Sequence, residues 1–426
     1  MKVVLVNPPY LRGTTRHAPL GICYIASVLE QSGFEVSIVD MESSDLSIQS
    51  TVDKITMRQP DIVGLSCMTP QYPTMLKVAE KVKEHKKSIL TVFGGPHASA
   101  LPHVIISNEY VDVCVRGEGE HVMLNLVRSL DEGRTDLGHI PGIVFKTQGL
   151  LKETTPPERI FNCDMVPLPA RHLLNMNHYI FPFFDVKIPT TNIVASRGCP
   201  YGCRFCYKAI FGNVWRGRSP LNIVDEVRYL QREYDVEGIY FMDDNFCVNK
   251  MWIKTLCKKL RESAKVLWAS GGIRVDLVSQ ELLEEMKESG CRWIGIGVES
   301  GDPQILQEIR KGVTVDAIIK AFKMCHSLGI FAFGFFMIGH PQETLESIAK
   351  TTQLIKVINP DGAYISIYTP YPGTEIYYEA LRKGWLSDDF SWERLAYTHS
   401  NFTISQNFTI SELKSLRDEM YLHVRR

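Results

Sequence analysis

The chain has 426 residues, 45% of them apolar and 22% charged, with 47 basic against 48 acidic side chains. That balance excludes a disordered chain, a collagen-like repeat and a disulfide miniprotein, and at roughly 150 residues per domain the length predicts two or three domains. A formal charge of −1 leaves no excess of cations to neutralise a phosphate backbone, so no nucleic-acid partner is expected.

Residues 2–9 are a β-branched run, followed by a helical pattern over 20–31 that stops at Gly33. Strand patterns recur at 35–40, 61–67, 88–93 and 111–115, with a helical pattern over 72–84. Near-continuous apolar strands separated by helices predict a parallel sheet covered on both faces. The expected fold of residues 1–135 is therefore α/β, a doubly wound Rossmann-like or flavodoxin-like domain. In such sheets ligands sit beyond the carboxyl ends of the strands. Those ends read Asn7-Pro8-Pro9, Ser66-Cys67-Met68-Thr69, Gly94-Gly95-Pro96-His97 and Gly117-Glu118-Gly119-Glu120. Glycines there either let backbone approach a bulky ligand or simply make tight turns.

Residues 136–185 read as a connector: one possible hairpin over 142–154, followed by a stretch containing Pro156, Pro157, Pro167 and Pro169, which oppose regular helix. From residue 186 to 375 a second series begins. Strand patterns at 192–196, 238–242, 266–269, 293–298, 330–338 and 363–368 alternate with helical patterns at 222–233, 250–261, 280–287, 315–327 and 345–357. Six βα units without a reversal predict a partial (β/α)6 barrel of the TIM type, with its chemistry at the strand carboxyl ends. Residues 376–426 form a short tail with a final helix over 411–424. No apolar run approaches the ~20 residues that span a bilayer, and residues 1–6 read as a strand rather than a signal peptide. No membrane association and a cytoplasmic location are expected.

Eleven cysteines without a secretion signal read as reduced thiols. Three are grouped: Cys199, Cys203 and Cys206, spaced C-x3-C-x2-C directly after the first strand of the second series. Three thiolates are one short of a closed zinc site or a fully ligated four-iron cluster. On a [4Fe–4S] cluster they would leave one iron open. A zinc site completed by Cys163, Cys247 or a histidine, and three unligated thiols, are the alternatives.

The spacing, with the aromatic Phe205 before the last cysteine, resembles the radical S-adenosylmethionine enzymes. Asn7-Pro8-Pro9, Pro19-Leu20-Gly21, Gly94-Gly95-Pro96-His97 and Arg116-Gly117-Glu118-Gly119-Glu120 narrow the resemblance to the subgroup that carries a cobalamin-binding domain before the radical barrel. So do residues 241–246, Gly297-Val298-Glu299-Ser300-Gly301, Gly339-His340-Pro341-Gln342-Glu343-Thr344 and Pro370-Tyr371-Pro372-Gly373-Thr374. The likeness spans about residues 1–395.

The resemblance implies three cofactors: a [4Fe–4S] cluster on Cys199, Cys203 and Cys206, S-adenosylmethionine chelated to the fourth iron, and cobalamin. An electron from a flavodoxin or ferredoxin would cleave S-adenosylmethionine to methionine and a 5′-deoxyadenosyl radical. Phe205 would contact the adenine, and Asp243 and Asp244 would either receive the ammonium group or cap the helix that starts near Asn249. Arg274 would pair with the methionine carboxylate or with Asp276. Glu299 and Ser300 would lie at the ribose or methionyl group, and Gly339 would admit the adenine. In the first domain, Ser66, Met68, Thr69, Gly94, Gly95, Gly117 and Glu118 are the candidate cobalamin contacts, with Leu20 and Gly21 beneath the corrin. D-x-H-x-x-G is absent, so a cobalt-bound histidine (His97 or His17) is not expected.

The function implied is methyl transfer from methylcobalamin to an unactivated carbon or phosphorus centre of a small-molecule or peptide substrate. A cyclase or oxidase without methyl transfer is the alternative. A methylthiotransferase with a second cluster on Cys23, Cys67 and Cys114, and a non-catalytic sensor, are further ones. Tyr364, Tyr368, Tyr371, Trp385, Trp392 and Tyr397 are candidate pocket aromatics.

Overall fold

The computed structural model describes residues 1–9, 16–43, 45–183, 186–386, 390–396 and 400–424, so Tyr397 lies outside the described residues. Two units are distinguished. One comprises Met1–Tyr179, Tyr207–Phe211 and Ser391–Ala396; the other comprises Ile180–Cys206, Gly212–Phe390 and Tyr397–Arg426.

In the first unit β1 (Lys2–Asn7), β2 (Glu35–Asp40), β3 (Ile62–Ser66), β4 (Leu90–Gly94) and β5 (Val113–Val115) pair in parallel in the order β2-β1-β3-β4-β5. This is the flavodoxin-like order. Alternate residues of each strand face opposite ways. Val4 and Val6 join Val63, Leu65 and Phe93 in one core, under α2 (Ile48–Thr56) and α3 (Tyr72–His85). Val3 and Leu5 join Ile62, Val92 and Val113 in the other, under α1 (Leu20–Gln31) and α6 (Gly119–Asp131). The short helices α4 (Pro96–Ala100) and α5 (Pro102–Ile106) lie between β4 and β5.

Two features depart from the sequence expectation. Helix α2 is absent from it, because Val52 and Ile55 are its only apolar buried residues; Ser47 caps it by accepting from the Ser50 N–H. The hairpin of β6 (Ile143–Thr147) and β7 (Leu150–Glu153) is not a free-standing connector. Strand β6 pairs antiparallel with β5 and extends the sheet to seven strands.

The second unit is a curled half-barrel. Its strands run in the order β8 (Phe181–Phe183), β9 (Val186–Ile193), β12 (Gly238–Phe241), β13 (Leu267–Ile273), β14 (Cys291–Glu299), β15 (Phe331–Ile338) and β16 (Gly362–Ile367). From β9 to β16 every pair is parallel, and β8 is an antiparallel edge. Helices α7 (Pro220–Tyr234), α8 (Lys250–Ser263), α9 (Gln280–Glu288), α11 (Val315–Ser327) and α12 (Leu345–Ile358) connect successive strands, with the short α10 (Pro303–Glu308) preceding α11. Strand β15 alternates strictly: Ala332, Gly334, Phe336 and Ile338 are buried, while Phe331, Phe333 and Phe335 are half-buried and cluster with Tyr240 and Trp293.

The first barrel strand lies earlier than its apolar pattern predicts. Residues 196–197 instead form β10 (Ser196–Arg197), a two-residue antiparallel ladder with β11 (Arg216–Gly217), which closes the base of the cysteine loop. In the tail, α13 (Glu375–Arg382) precedes α14 (Ile410–Tyr421), whose Tyr421 hydroxyl accepts the Ile365 N–H at 2.9 Å.

Candidate active site

The cysteine loop leaves β9 at the carboxyl end of the half-barrel. Gly198, at a φ of 85°, turns the chain out of β10, and Cys199 N–H donates to the Gly212 carbonyl at 3.4 Å. A tight turn follows, with Cys206 N–H on the Cys203 carbonyl at 3.2 Å. Cys199 and Cys203 are half-buried and Cys206 is exposed, whereas the other eight cysteines are all buried. That contrast separates ligand-ready thiols from packing thiols. The Cys206 thiol is pushed up by its hydrogen bond to Cys203, and the same bond holds the Cys203 thiol down to about 6, assisted by the nearby cations Lys311 and Arg274. Such a thiol is readily a thiolate, the form that binds iron. Cys247, by contrast, is pushed up by burial. Among the described residues no group of three His, Cys, Asp or Glu side chains is placed round a single ion.

Both expected aspartates meet the loop. Asp243, at the end of β12, accepts Ala195 N–H at 2.9 Å and the Ser196 hydroxyl at 2.6 Å; burial raises its carboxyl to about 7. Asp244 accepts Gly198 N–H at 2.9 Å and is exposed. Neither caps α8: the Asn249 side chain does, accepting Trp252 N–H at 3.0 Å. The aspartates therefore fix the root of the cysteine loop, and Asp244 also presents a carboxylate to solvent beside it.

Arg274 follows β13. Its fork is held by Asp276, at 3.0 and 3.3 Å, and by the Lys311 carbonyl at 2.7 Å, and it stacks on Tyr201 at 3.7 Å. Its Nη1 points to Cys203 Sγ at 3.7 Å. Of the two partners expected for Arg274, the structure provides Asp276. Glu299 ends β14 at a φ of 68° and pairs with the buried Lys311 at 2.6 Å. A carboxylate side chain in the left-handed region is strained, a feature that concentrates at functional sites. Ser300 is committed to the turn after β14: its hydroxyl accepts Asp302 N–H and meets the Thr351 hydroxyl.

Gly339, at a φ of 93°, ends β15, and a Cβ there would come within 2.8 Å of Leu413 on α14. Its N–H and that of His340 donate to Glu343, whose carboxyl burial raises to about 7. Phe205 lies edge-on to the buried Tyr368, which also meets His340. Trp392 packs on His97 in the first unit, and Lys383 covers Trp385.

At the strand ends of the first unit, Gly21 is exposed and nothing among the described residues lies within 4 Å of where its Cβ would stand, while Leu20 beside it is buried. Met68 is exposed at the end of β3, and Ser66 and Gly94 are half-buried. Gly95, at a φ of 87°, closes on Ser66 and Cys67, which a Cβ would approach to 3.0–3.2 Å. Thr69 is turned inward to His97 Nδ1 at 3.1 Å. Gly117 and Glu118 are covered by the connector: a Gly117 Cβ would strike Pro157 at 2.8 Å, and Glu118 accepts Ile160 N–H. The structure therefore leaves Gly21 and Met68 as the open positions and encloses Thr69, Gly117 and Glu118. His97 sits between Tyr72 and Trp392, and burial lowers it to about 4. Cys23 belongs to one core of the sheet and Cys67 and Cys114 to the other, so the three do not gather round a second cluster.

Sequence reasoning missed Lys311 and Tyr201, and it gave Asn245 no role although its Nδ2 lies 3.9 Å from Cys199 Sγ. The only signal for Lys311 is a basic pair, Arg310-Lys311, just past α10.

Comparison with known proteins gives the family. Residues 193–355 match the radical SAM superfamily and residues 12–127 the B12 binding domain. An uncharacterized methyltransferase of Pyrococcus horikoshii is 33% identical over 99% of this chain and 92% of its own length. The anaerobic magnesium-protoporphyrin IX monomethyl ester cyclase of Rubrivivax gelatinosus is 30% identical over 89% of this chain and 70% of its own. The fold is that of the radical S-adenosylmethionine methyltransferase TsrM of Kitasatospora setae, solved with tryptophan and a S-adenosylmethionine analogue. The TM-score is 0.78 at 17% identity, covering 99% of this chain and 89% of that one. The chain belongs to the cobalamin-binding radical S-adenosylmethionine enzymes. The cofactors of that family are a [4Fe–4S] cluster, S-adenosylmethionine and cobalamin.

Proposed function

We propose that the chain is a methyltransferase that moves a methyl group from methylcobalamin to an unactivated carbon or phosphorus centre of a small molecule or peptide. The observation that carries the cofactor assignment is the exposure contrast among the cysteines: three ligand-ready thiols on one loop, eight buried ones elsewhere. Methyl transfer is supported by the relative in Pyrococcus horikoshii, the more similar of the two curated relatives and named a methyltransferase. The relative in Rubrivivax gelatinosus supports a second reading, ring closure without methyl transfer.

When bound, the cluster supplies one electron to the sulfonium of S-adenosylmethionine, and cobalamin carries the methyl group. The chain's own residues hold and orient. Cys199, Cys203 and Cys206 would hold the cluster through three of its irons, with the fourth open to S-adenosylmethionine. Asp244 offers a carboxylate to its ammonium group, Phe205 an aromatic face to its adenine, and the Lys311–Glu299 pair a fixed pair of charges at the end of β14. In the first unit the exposed Gly21 and Met68 would lie against the corrin. The electron would come from a donor such as a flavodoxin or ferredoxin, and the proposed location is the cytoplasm. Anaerobic turnover with both cofactors tests the reading. Methylated product, 5′-deoxyadenosine and S-adenosylhomocysteine support it; cleavage with an unmethylated, cyclised product supports the cyclase; a purified chain that binds no corrinoid overturns both.

A further inference from the structure

Two side chains outside the cysteine loop reach its sulfurs. Asn245 Nδ2 lies 3.9 Å from Cys199 Sγ, and Arg274 Nη1 lies 3.7 Å from Cys203 Sγ. Both side chains are buried, at 2% and 6% exposure, and the sulfurs they reach are half-buried. Arg274 is also immobilised. Asp276 holds its Nε and Nη2, the Lys311 carbonyl holds Nη2 again, and the guanidinium carbon lies over the Tyr201 ring, 3.7 Å from its centre. What the clamp leaves is Nη1, aimed at sulfur. Asn245 is fixed by its neighbours in sequence, since Asp243 and Asp244 anchor the segment to residues 195–198.

We propose that Asn245 and Arg274 are positioning residues that set the reduction potential of the iron–sulfur cluster held by Cys199, Cys203 and Cys206, through N–H···S hydrogen bonds to two of its three thiolates. The inference rests on the cluster assignment above. One-electron reduction adds a negative charge that spreads over the cluster sulfurs, and no bond is broken. The electron comes from a low-potential one-electron donor. Hydrogen bonds to ligand sulfur and a fixed cation both stabilise the reduced form more than the oxidised one, so they raise the potential. Arginine suits the task because it cannot shed its proton. The Asp276 carboxylate offsets part of the charge at longer range, while its grip on Nε and Nη2 keeps Nη1 on Cys203.

The test is a redox titration of the anaerobically reconstituted full-length chain with titanium(III) citrate, followed by electron paramagnetic resonance, with iron and sulfide measured on the same samples. Arg274→Gln removes the charge and the fork. It is expected to lower the reduced-to-oxidised ratio at a fixed potential by about tenfold or more, a midpoint about 59 mV more negative for a one-electron couple. Asn245→Ala shifts it in the same direction by less, and Arg274→Lys, which keeps the charge, recovers part of the loss. Variants that hold the full iron content with an unshifted midpoint overturn the proposal. Loss of iron from both Arg274→Gln and Asn245→Ala also overturns it, because the residues then serve retention rather than tuning. Absence of any cluster in the unaltered chain would instead defeat the cofactor assignment itself, so the two failures are distinct.

Discussion

Lys311 Nζ lies 2.6 Å from Glu299 Oε1, and both side chains are almost wholly enclosed at the carboxyl end of β14. A buried ion pair is costly to assemble, and removing one partner strands a charge in low dielectric. Lys311→Met is therefore expected to destabilise the chain by ~3–5 kcal/mol in urea unfolding. The double variant Lys311→Met/Glu299→Gln should recover much of that loss. If both single variants cost under about 1 kcal/mol, the pair is solvated and the described geometry is wrong.

Gly21 separates packing from binding. A Cβ there meets open space, and alanine is the better helix former by ~1 kcal/mol, so Gly21→Ala should leave stability equal or slightly higher. If the corrin seats at this turn, the same change weakens cobalamin binding severalfold, read by equilibrium dialysis of the purified chain. Unchanged binding would move the seat elsewhere.

Gly95→Ala behaves oppositely. The φ of 87° and contacts of 3.0–3.2 Å to Ser66 and Cys67 leave no room for a Cβ. With ψ at −169° this backbone conformation is essentially reserved for glycine and costs a side chain on the order of 1–3 kcal/mol, so a fall of about that size is expected in thermal or urea unfolding.

Glu343 carries a pH signature. Burial raises its carboxyl from 4.5 to about 7. Between those values the folded chain keeps a proton that the unfolded chain has released, so stability declines as pH rises through the window. Glu343→Gln keeps an acceptor for the Gly339 and His340 N–H groups and cannot ionise. Its stability relative to the unaltered chain should rise between about pH 5 and pH 8. Parallel pH profiles for the two chains would contradict the assignment.

Much of this was legible in the chain itself. Alternating apolar runs and strand-end glycines mark both βα series, and the spacing of Cys199, Cys203 and Cys206 marks the chemistry without reference to burial. What escaped is what tertiary packing decides. Arg274 has a local partner in Asp276, but nothing local shows that its remaining donor points to Cys203. Lys311 reads as an ordinary surface lysine until β14 places Glu299 beside it. Gly117 and Glu118 look like ligand contacts because they end a strand, yet residues from the connector, distant in sequence, cover them. Helix α2 fails to register because Val52 and Ile55 are too few to set a period.

The decisive experiment is electron paramagnetic resonance of the reduced, reconstituted chain before and after adding S-adenosylmethionine. Three cysteine ligands predict a cubane signal at about four irons per chain that changes shape when the open iron is chelated, and its absence in Cys203→Ala. A signal indifferent to S-adenosylmethionine would mean that all four irons already have protein ligands, and the assignment of this site would fall.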